Sequence, residues 1–262
     1  MAKSKLNSFI KRAMSALVLA PVVIYCIIAG KTSISLLALG AAALLSWEWA
    51  NMFKGKSEQF FALSYLLSTV AVVVFSPLSV GLGVILFLSV VAYWRFYKEK
   101  DFYLKLLGLP YISIGIGSLV LLYNTYGYKI VLWYMIVVWG VDIGGYLFGS
   151  WIKGPKLAPK ISPNKTWAGL FGGAFVAVLI SLGACMLSDN SNCMINTVIL
   201  AVIITCIAQT GDLIESAIKR HLNIKDSSNL IPGHGGIFDR IDGLIFAAPF
   251  TYGLLKILDV NF

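Results

Sequence analysis

Between Asp212 and Asp242 the chain gathers the groups that chemistry needs. Asp212, Glu215, Asp226, Asp239 and Asp242 are five of its twelve acidic side chains, and both histidines, His221 and His234, lie in the same stretch with Lys219, Arg220, Lys225 and Arg240. Carboxylate oxygens suit a hard cation, and lysines and arginines suit phosphate oxygens. Asp212, Glu215, Ser216 and Lys219 stand at i, i+3, i+4 and i+7, so a helix puts them on one face. Asp212 follows a long apolar run, and a carboxylate at the end of such a run is costly without a partner or a metal ion. The plainer alternative is a helix end entering water, with Glu215 paired to Lys219. Asp239 and Asp242 repeat the i, i+3 spacing, and Asp212 with Asp239 would make the carboxylate pair that Mg²⁺ accepts beside substrate phosphates. Here the plainer alternative is a solvated turn with Asp242 as the N-cap of a following helix. Between them, Pro232-Gly233-His234-Gly235-Gly236 would let backbone amides approach a phosphate. It does not match the G-x-x-x-x-G-K-[ST] pattern of a P-loop. His234 is placed to touch a phosphate or exchange a proton, against the ordinary reading of a solvated loop histidine.

A second polar group precedes this one. Asp142 sits thirteen residues after Lys129 in an apolar run, which is about 20 Å along a helix at ~1.5 Å per residue. Gly140, Gly144, Gly145 and Gly149 flank it and permit close helix packing. Lys156 to Trp167 then supplies lysines, prolines, Ser162, Asn164 and Lys165 just before a helix, a plausible anion site weighed against a plain cationic loop. Glu48, between Trp47 and Trp49, reads as part of an interfacial aromatic belt.

The elements that must carry these groups are membrane helices. The chain is 58% hydrophobic and 13% charged, with a mean hydropathy of +0.83. Apolar runs near the ~20 residues needed to cross a bilayer recur along it. The spacing predicts an all-α, polytopic bundle of nine spans, near 13–30, 32–50, 60–75, 78–94, 106–123, 130–149, 167–187, 195–218 and 243–258. With the N-terminus cytoplasmic, all cations except Lys31, Lys129 and Lys256 fall on the cytoplasmic side. The net charge of +9 is thereby assigned to the positive-inside rule rather than to a nucleic-acid partner. The whole of 1–262 reads as one membrane-embedded domain, with 1–128 as N-terminal spans and 129–262 as the catalytic spans and loops. The basic-then-apolar start lacks a cleavage-like site and is read as a retained first helix. Cys26, Cys185, Cys193 and Cys206 show no CxxC pairing; the three in apolar runs read as packing residues.

These residues resemble the phosphatidate cytidylyltransferases. The family pattern stands here as Ser216, Lys219-Arg220, Lys225-Asp226, Ser228, Pro232-Gly233-His234-Gly235-Gly236 and Asp239-Arg240-Ile241-Asp242. Upstream, Asp142-Ile-Gly-Gly-Tyr146, Ile161-Ser162-Pro163-Asn164-Lys165-Thr166-Trp167 and Gly211-Asp212 are similar to the family as well. Ile143 and Ala168 depart from its commoner residues, and the first half agrees mainly in hydropathy and in Glu48-Trp49.

The resemblance implies CTP and phosphatidate as substrates, Mg²⁺ with room for a second cation, bilayer lipid around the protein, a homodimer, and an active site facing the cytoplasm from a bacterial inner membrane. Asp212 and Asp239, with Asp142 as a third carboxylate, are expected to hold metal. Lys219, Arg220 and His234 join Asp212 and Asp239 as catalytic groups. Ser162, Asn164, Lys165, Ser216, Lys225, Asp226, Gly235, Gly236, Arg240 and Asp242 are expected at substrate. Two rival functions fit the composition: an ion-coupled transporter using Asp142 and Asp212, and a CTP-dependent transferase for another lipid phosphate. No internal repeat supports the first.

Overall fold

A computed structural model describes residues 17–53, 57–74, 78–187, 194–230 and 235–258. Among them run nine helices: α1 (Leu17–Ile28), α2 (Lys31–Met52), α3 (Glu58–Val74), α4 (Leu78–Phe96), α5 (Phe102–Tyr126), α6 (Tyr128–Ile152), α7 (Trp167–Met186), α8 (Met194–His221) and α9 (Phe238–Leu258). A helix lies over each of the nine predicted runs. Six of them, α2 and α5 to α9, are long and apolar enough to cross a membrane; α1, α3 and the apolar part of α4 are shorter. Large apolar side chains such as Leu86, Phe87, Trp94, Trp151 and Leu187 stand exposed, as expected of surfaces that meet lipid rather than water.

Hydropathy misplaced some ends. α9 begins at Phe238 rather than near 243, because the polar residues of its first turn hide a helix from an apolar-run criterion. Asp242 is therefore inside the helix and not its N-cap. Residues 156–166 are not a plain loop: β1 (Lys156–Ala158) and β2 (Ser162–Thr166) form an antiparallel hairpin with one irregularity in register. The left-handed backbone of Lys153 and Gly154 turns the chain out of α6 into it. Thr166 ends the hairpin and caps α7, its hydroxyl accepting the Gly169 N–H at 3.0 Å.

The chain resolves into two compact units, Met1–Val120 with His221–Ile241, and Leu121–Arg220 with Asp242–Phe262. In the first, Leu45, Trp49, Phe61, Tyr65, Phe102, Leu109, Ile112 and Phe238 are buried. Small hydroxyls link α3 to α5 inside it: Ser68 Oγ lies 2.5 Å from Ser113 Oγ, and Tyr65 donates to the Lys105 carbonyl at 2.6 Å. Such bonds and close packing hold helices together where lipid removes the hydrophobic drive.

In the second unit α6 and α7 approach closely through glycines, the kind of packing that Gly140, Gly144, Gly145 and Gly149 permit. A Cβ on Gly144 would stand 2.8 Å from the Gly172 carbonyl, and one on Gly173 2.8 Å from that of Val141. α8 and α9 meet in the same manner, with Gly243 facing the Ala208 carbonyl. The described cysteines Cys26, Cys185 and Cys206 are unbridged; Cys185 is buried as expected, whereas Cys206 is exposed. Cys193 lies outside the described residues.

Candidate active site

In the second unit, α8 places Asp212 and Glu215 on one face, and α9 brings Asp242 to them. Carboxylate oxygens of all three lie within 4.8 Å of one another. Asp242 is also within hydrogen-bond reach of Glu215 and feels the charge of Asp142. Like charges at this range repel strongly in a poorly solvated place, and the repulsion is relieved by a shared proton or by cations. Two lysines supply part of that relief. The hairpin aims Lys165 at the group, with Nζ 2.6 Å from Asp212 Oδ2. Lys219 Nζ lies 2.7 Å from Glu215 Oε2, one turn along α8. Ser216 donates to Asp212 Oδ1 at 3.3 Å.

The Glu215–Lys219 pair was the signature of the plainer reading, a helix end dissolving into water. The pairing is present but the water is not: Glu215 is 2% exposed and Lys219 8%. A pair sealed in this way loses more hydration than a surface pair and is weak evidence of stability alone. Asp142 projects from α6 as an exposed residue.

The first unit holds a different carboxylate arrangement. Glu48, on α2, is 0% exposed. Its Oε1 accepts from Ser228 Oγ at 2.6 Å and the Ile237 N–H at 2.9 Å; its Oε2 accepts from the Phe238 N–H at 2.7 Å and Ser227 Oγ at 3.2 Å. A carboxylate is thus set on the N-terminal amides of α9, where the helix dipole favours negative charge. The aromatic-belt reading of Glu48 is corrected: it is a buried clamp. Its only sequence signal was the Glu48-Trp49 pair.

Asp239 Oδ2 accepts the Gly236 N–H at 2.8 Å, the Ser227 N–H at 3.0 Å and the Ser227 hydroxyl at 3.1 Å. This explains two glycines of the turn without a phosphate. Gly235 adopts φ +83°, and a Cβ on it would stand 2.7 Å from Asp239 Oδ2. A Cβ on Gly236 would collide with Ser227 Oγ and lie 2.7 Å from both oxygens of Glu48. Lys225, Asp226, Arg220, Arg240 and Asn164 are exposed, and Ser162 is half-buried. His234 lies outside the described residues.

Chemically, the second-unit group offers three hard oxygen donors converging from two helices, with two ammonium groups on the same donors. That donor set fits a divalent cation of the Mg²⁺ type, whose opposed ligands stand about 4 Å apart at ~2.1 Å each.

Residues 10–258 match the model of the cytidylyltransferase family. The chain is 32% identical to a phosphatidate cytidylyltransferase of Brucella suis over 250 residues, covering 92% of this chain and 91% of that one. It is 34% identical to a phosphatidate cytidylyltransferase of Pseudomonas aeruginosa over 266 residues, at 94% and 96% coverage. A Rickettsia typhi protein of the same name is 38% identical over 196 residues, at 72% and 86% coverage.

Proposed function

The chain belongs to the cytidylyltransferase family, and we propose on that footing that it transfers the cytidylyl group of CTP to phosphatidate, giving CDP-diacylglycerol and pyrophosphate. The observation that carries the reading is the assembly of Asp212, Glu215 and Asp242 with Lys165 and Lys219. Both substrates are anions, and attack of one phosphate oxygen on another phosphorus is slow until charge is neutralised.

Asp212, Glu215 and Asp242 would hold a divalent cation, which supplies neutralisation of the triphosphate and of the departing pyrophosphate. Asp142 adds negative charge beside Asp242. Asp239 is proposed for a second cation, its position set by the three donors on Oδ2. Lys165 and Lys219 are held by carboxylates and can trade them for phosphate oxygens, so the pairs keep the ammonium groups in place before substrate arrives. Arg220 and Arg240, exposed and permanently charged, bind phosphate. Ser162, Asn164, Ser216, Lys225, Asp226, Gly235 and Gly236 line the substrates, and His234 closes over the nucleotide. The attacking phosphatidate oxygen is already ionised near neutral pH, so no general base is required. The bond formed joins that oxygen to the α-phosphorus of CTP; the bond broken releases the β and γ phosphates together.

The proposed setting is one membrane-embedded domain of nine spans in a bacterial inner membrane, as a homodimer. The N-terminus and active site face the cytoplasm, and the lysine and arginine distribution supports that orientation. The test uses purified, detergent-solubilised protein with phosphatidate, Mg²⁺ and CTP labelled at either the α or the γ phosphorus. The proposal predicts α-label in chloroform-extractable lipid and γ-label in pyrophosphate. Label in lipid from γ-CTP would instead indicate a kinase, and no lipid label from either would refute cytidylyl transfer to phosphatidate.

A further inference from the structure

We propose that Glu48 is a positioning residue for this reaction: with Trp49 it grips the start of α9 and so fixes where Asp239 stands. The inference rests on the reading given above, in which Asp239 holds a second cation. Glu48 is fully buried and acts through α9 rather than on substrate.

The grip has two parts. Glu48 takes the backbone of Phe238, through its N–H, and that of Ile237. Trp49, the next residue, takes the Phe238 ring, with centroids 5.0 Å apart, and Tyr111 stacks on both at 5.4 and 5.6 Å. Phe238, Trp49 and Glu48 are all fully buried. The first amide of α9, the amide just before it and the first side chain of the helix are thus locked to α2. Asp239 follows immediately, so a rotation of the helix start moves its carboxylate. Ser227 ties the two ends of the clamp together, its hydroxyl reaching Glu48 Oε2 and Asp239 Oδ2.

The chemistry of the clamp makes it testable. All four groups on Glu48 are donors, so both of its oxygens must accept. Glutamine has the same shape but one acceptor and one donor, and its NH₂ would face either Ile237 N–H or Phe238 N–H. A hydroxyl can turn to accommodate it; a backbone amide cannot. Glu48→Gln therefore leaves the packing and removes the hold on one amide.

The experiment compares wild type, Glu48→Gln and Glu48→Asp for turnover with CTP and phosphatidate, for the Mg²⁺ concentration at half-maximal rate, and for amide hydrogen exchange of peptides spanning 235–243. Partners that orient metal-binding groups typically alter affinity or activity by about 10–100-fold. Glu48→Gln is expected to lower kcat about tenfold or more and to raise the half-maximal Mg²⁺ concentration. KM for both substrates should stay within about threefold, and exchange at 237 and 238 should quicken. Glu48→Asp should recover part of each change. A folded Glu48→Gln with wild-type kcat and Mg²⁺ dependence overturns the proposal. If Glu48→Gln does not fold, Ser227→Ala with Ser228→Ala loosens the clamp from its other side. Unchanged Mg²⁺ dependence and unchanged exchange in that variant also overturn it. A wild type indifferent to Mg²⁺ overturns both this inference and the reading beneath it. That outcome is distinct from failure of Glu48 alone, in which wild type responds to Mg²⁺ and the variants behave like it.

Discussion

Glu48 and Glu215 are both glutamates sealed within helical packing, 0% and 2% exposed, and they are kept there by opposite means. Glu48 is surrounded by neutral donors, two backbone amides and two hydroxyls, which match its lone pairs without adding charge. Glu215 has a lysine on one side and two further carboxylates within 4.8 Å. The first arrangement satisfies a carboxylate and fixes backbone. The second gathers three carboxylates with two ammonium groups beside them, a crowding of ionisable groups that a polyvalent cation would relieve. The difference separates a carboxylate that holds backbone in place from carboxylates gathered where a cation could relieve them.

The comparison predicts that shape-preserving changes act differently in the two places. Asp242→Asn keeps the shape of its side chain, relieves repulsion and removes a proposed metal ligand. Turnover should fall by roughly 10²–10³-fold, the scale of losing one electrostatic element of an active site, while thermal unfolding in detergent stays the same or rises. A clear fall in the unfolding temperature with intact specific activity would reverse the assignment of roles.

Lys219→Met probes the buried pair. Removing one partner of such a pair typically costs about 3–5 kcal/mol, so unfolding should move to clearly lower temperature. Adding Glu215→Gln should restore stability but not turnover. Recovery of both would make the pair purely structural.

Ser228→Ala removes one neutral donor from Glu48 and leaves three. The expected loss is about 1 kcal/mol of stability, read as a small shift in the unfolding midpoint.

The smallest effect belongs to a carboxylate outside both groups. Glu99, between α4 and α5, is pushed upward by partial burial, but the Lys105 ammonium and the Ser57 hydroxyl outweigh that and hold its carboxyl below the usual value of 4.5. Its folded pKa is thus the lower one. Its contribution is present above the unfolded pKa and is lost as pH falls through the folded value. The stability gap between wild type and Glu99→Gln should close on acidification below about pH 4.5. A gap constant with pH would show that Lys105 does not stabilise the charged form.

Much of this was legible in the residues. The apolar runs marked all nine helices of the described residues, and the glycines of α6 marked it as a helix able to pack closely, though not its partner. Asp212, Glu215 and Lys219 were placed on one face by spacing alone. What hydropathy could not mark was the first turn of α9, since Asp239 and Arg240 interrupt the apolar pattern, and this left Asp242 open between a helical residue and an N-cap. Glu48 was misread for a related reason. A glutamate between two tryptophans near a helix end looks interfacial, and its four donors come from residues about 180 positions later, which no local pattern contains. The hairpin at 156–166 was obscured by Pro159 and Pro163, residues that strands seldom admit.

The most direct test of the central claim is binding of Mn²⁺, an oxygen-seeking substitute for Mg²⁺, to the purified protein without nucleotide, followed by the electron paramagnetic resonance of the free ion. Wild type should bind it, Asp242→Asn should bind at least about tenfold more weakly, and Glu99→Gln should bind like wild type. Wild-type affinity in Asp242→Asn would contradict the account, because the converging carboxylates of α8 and α9 would then not be the place where the cation is held.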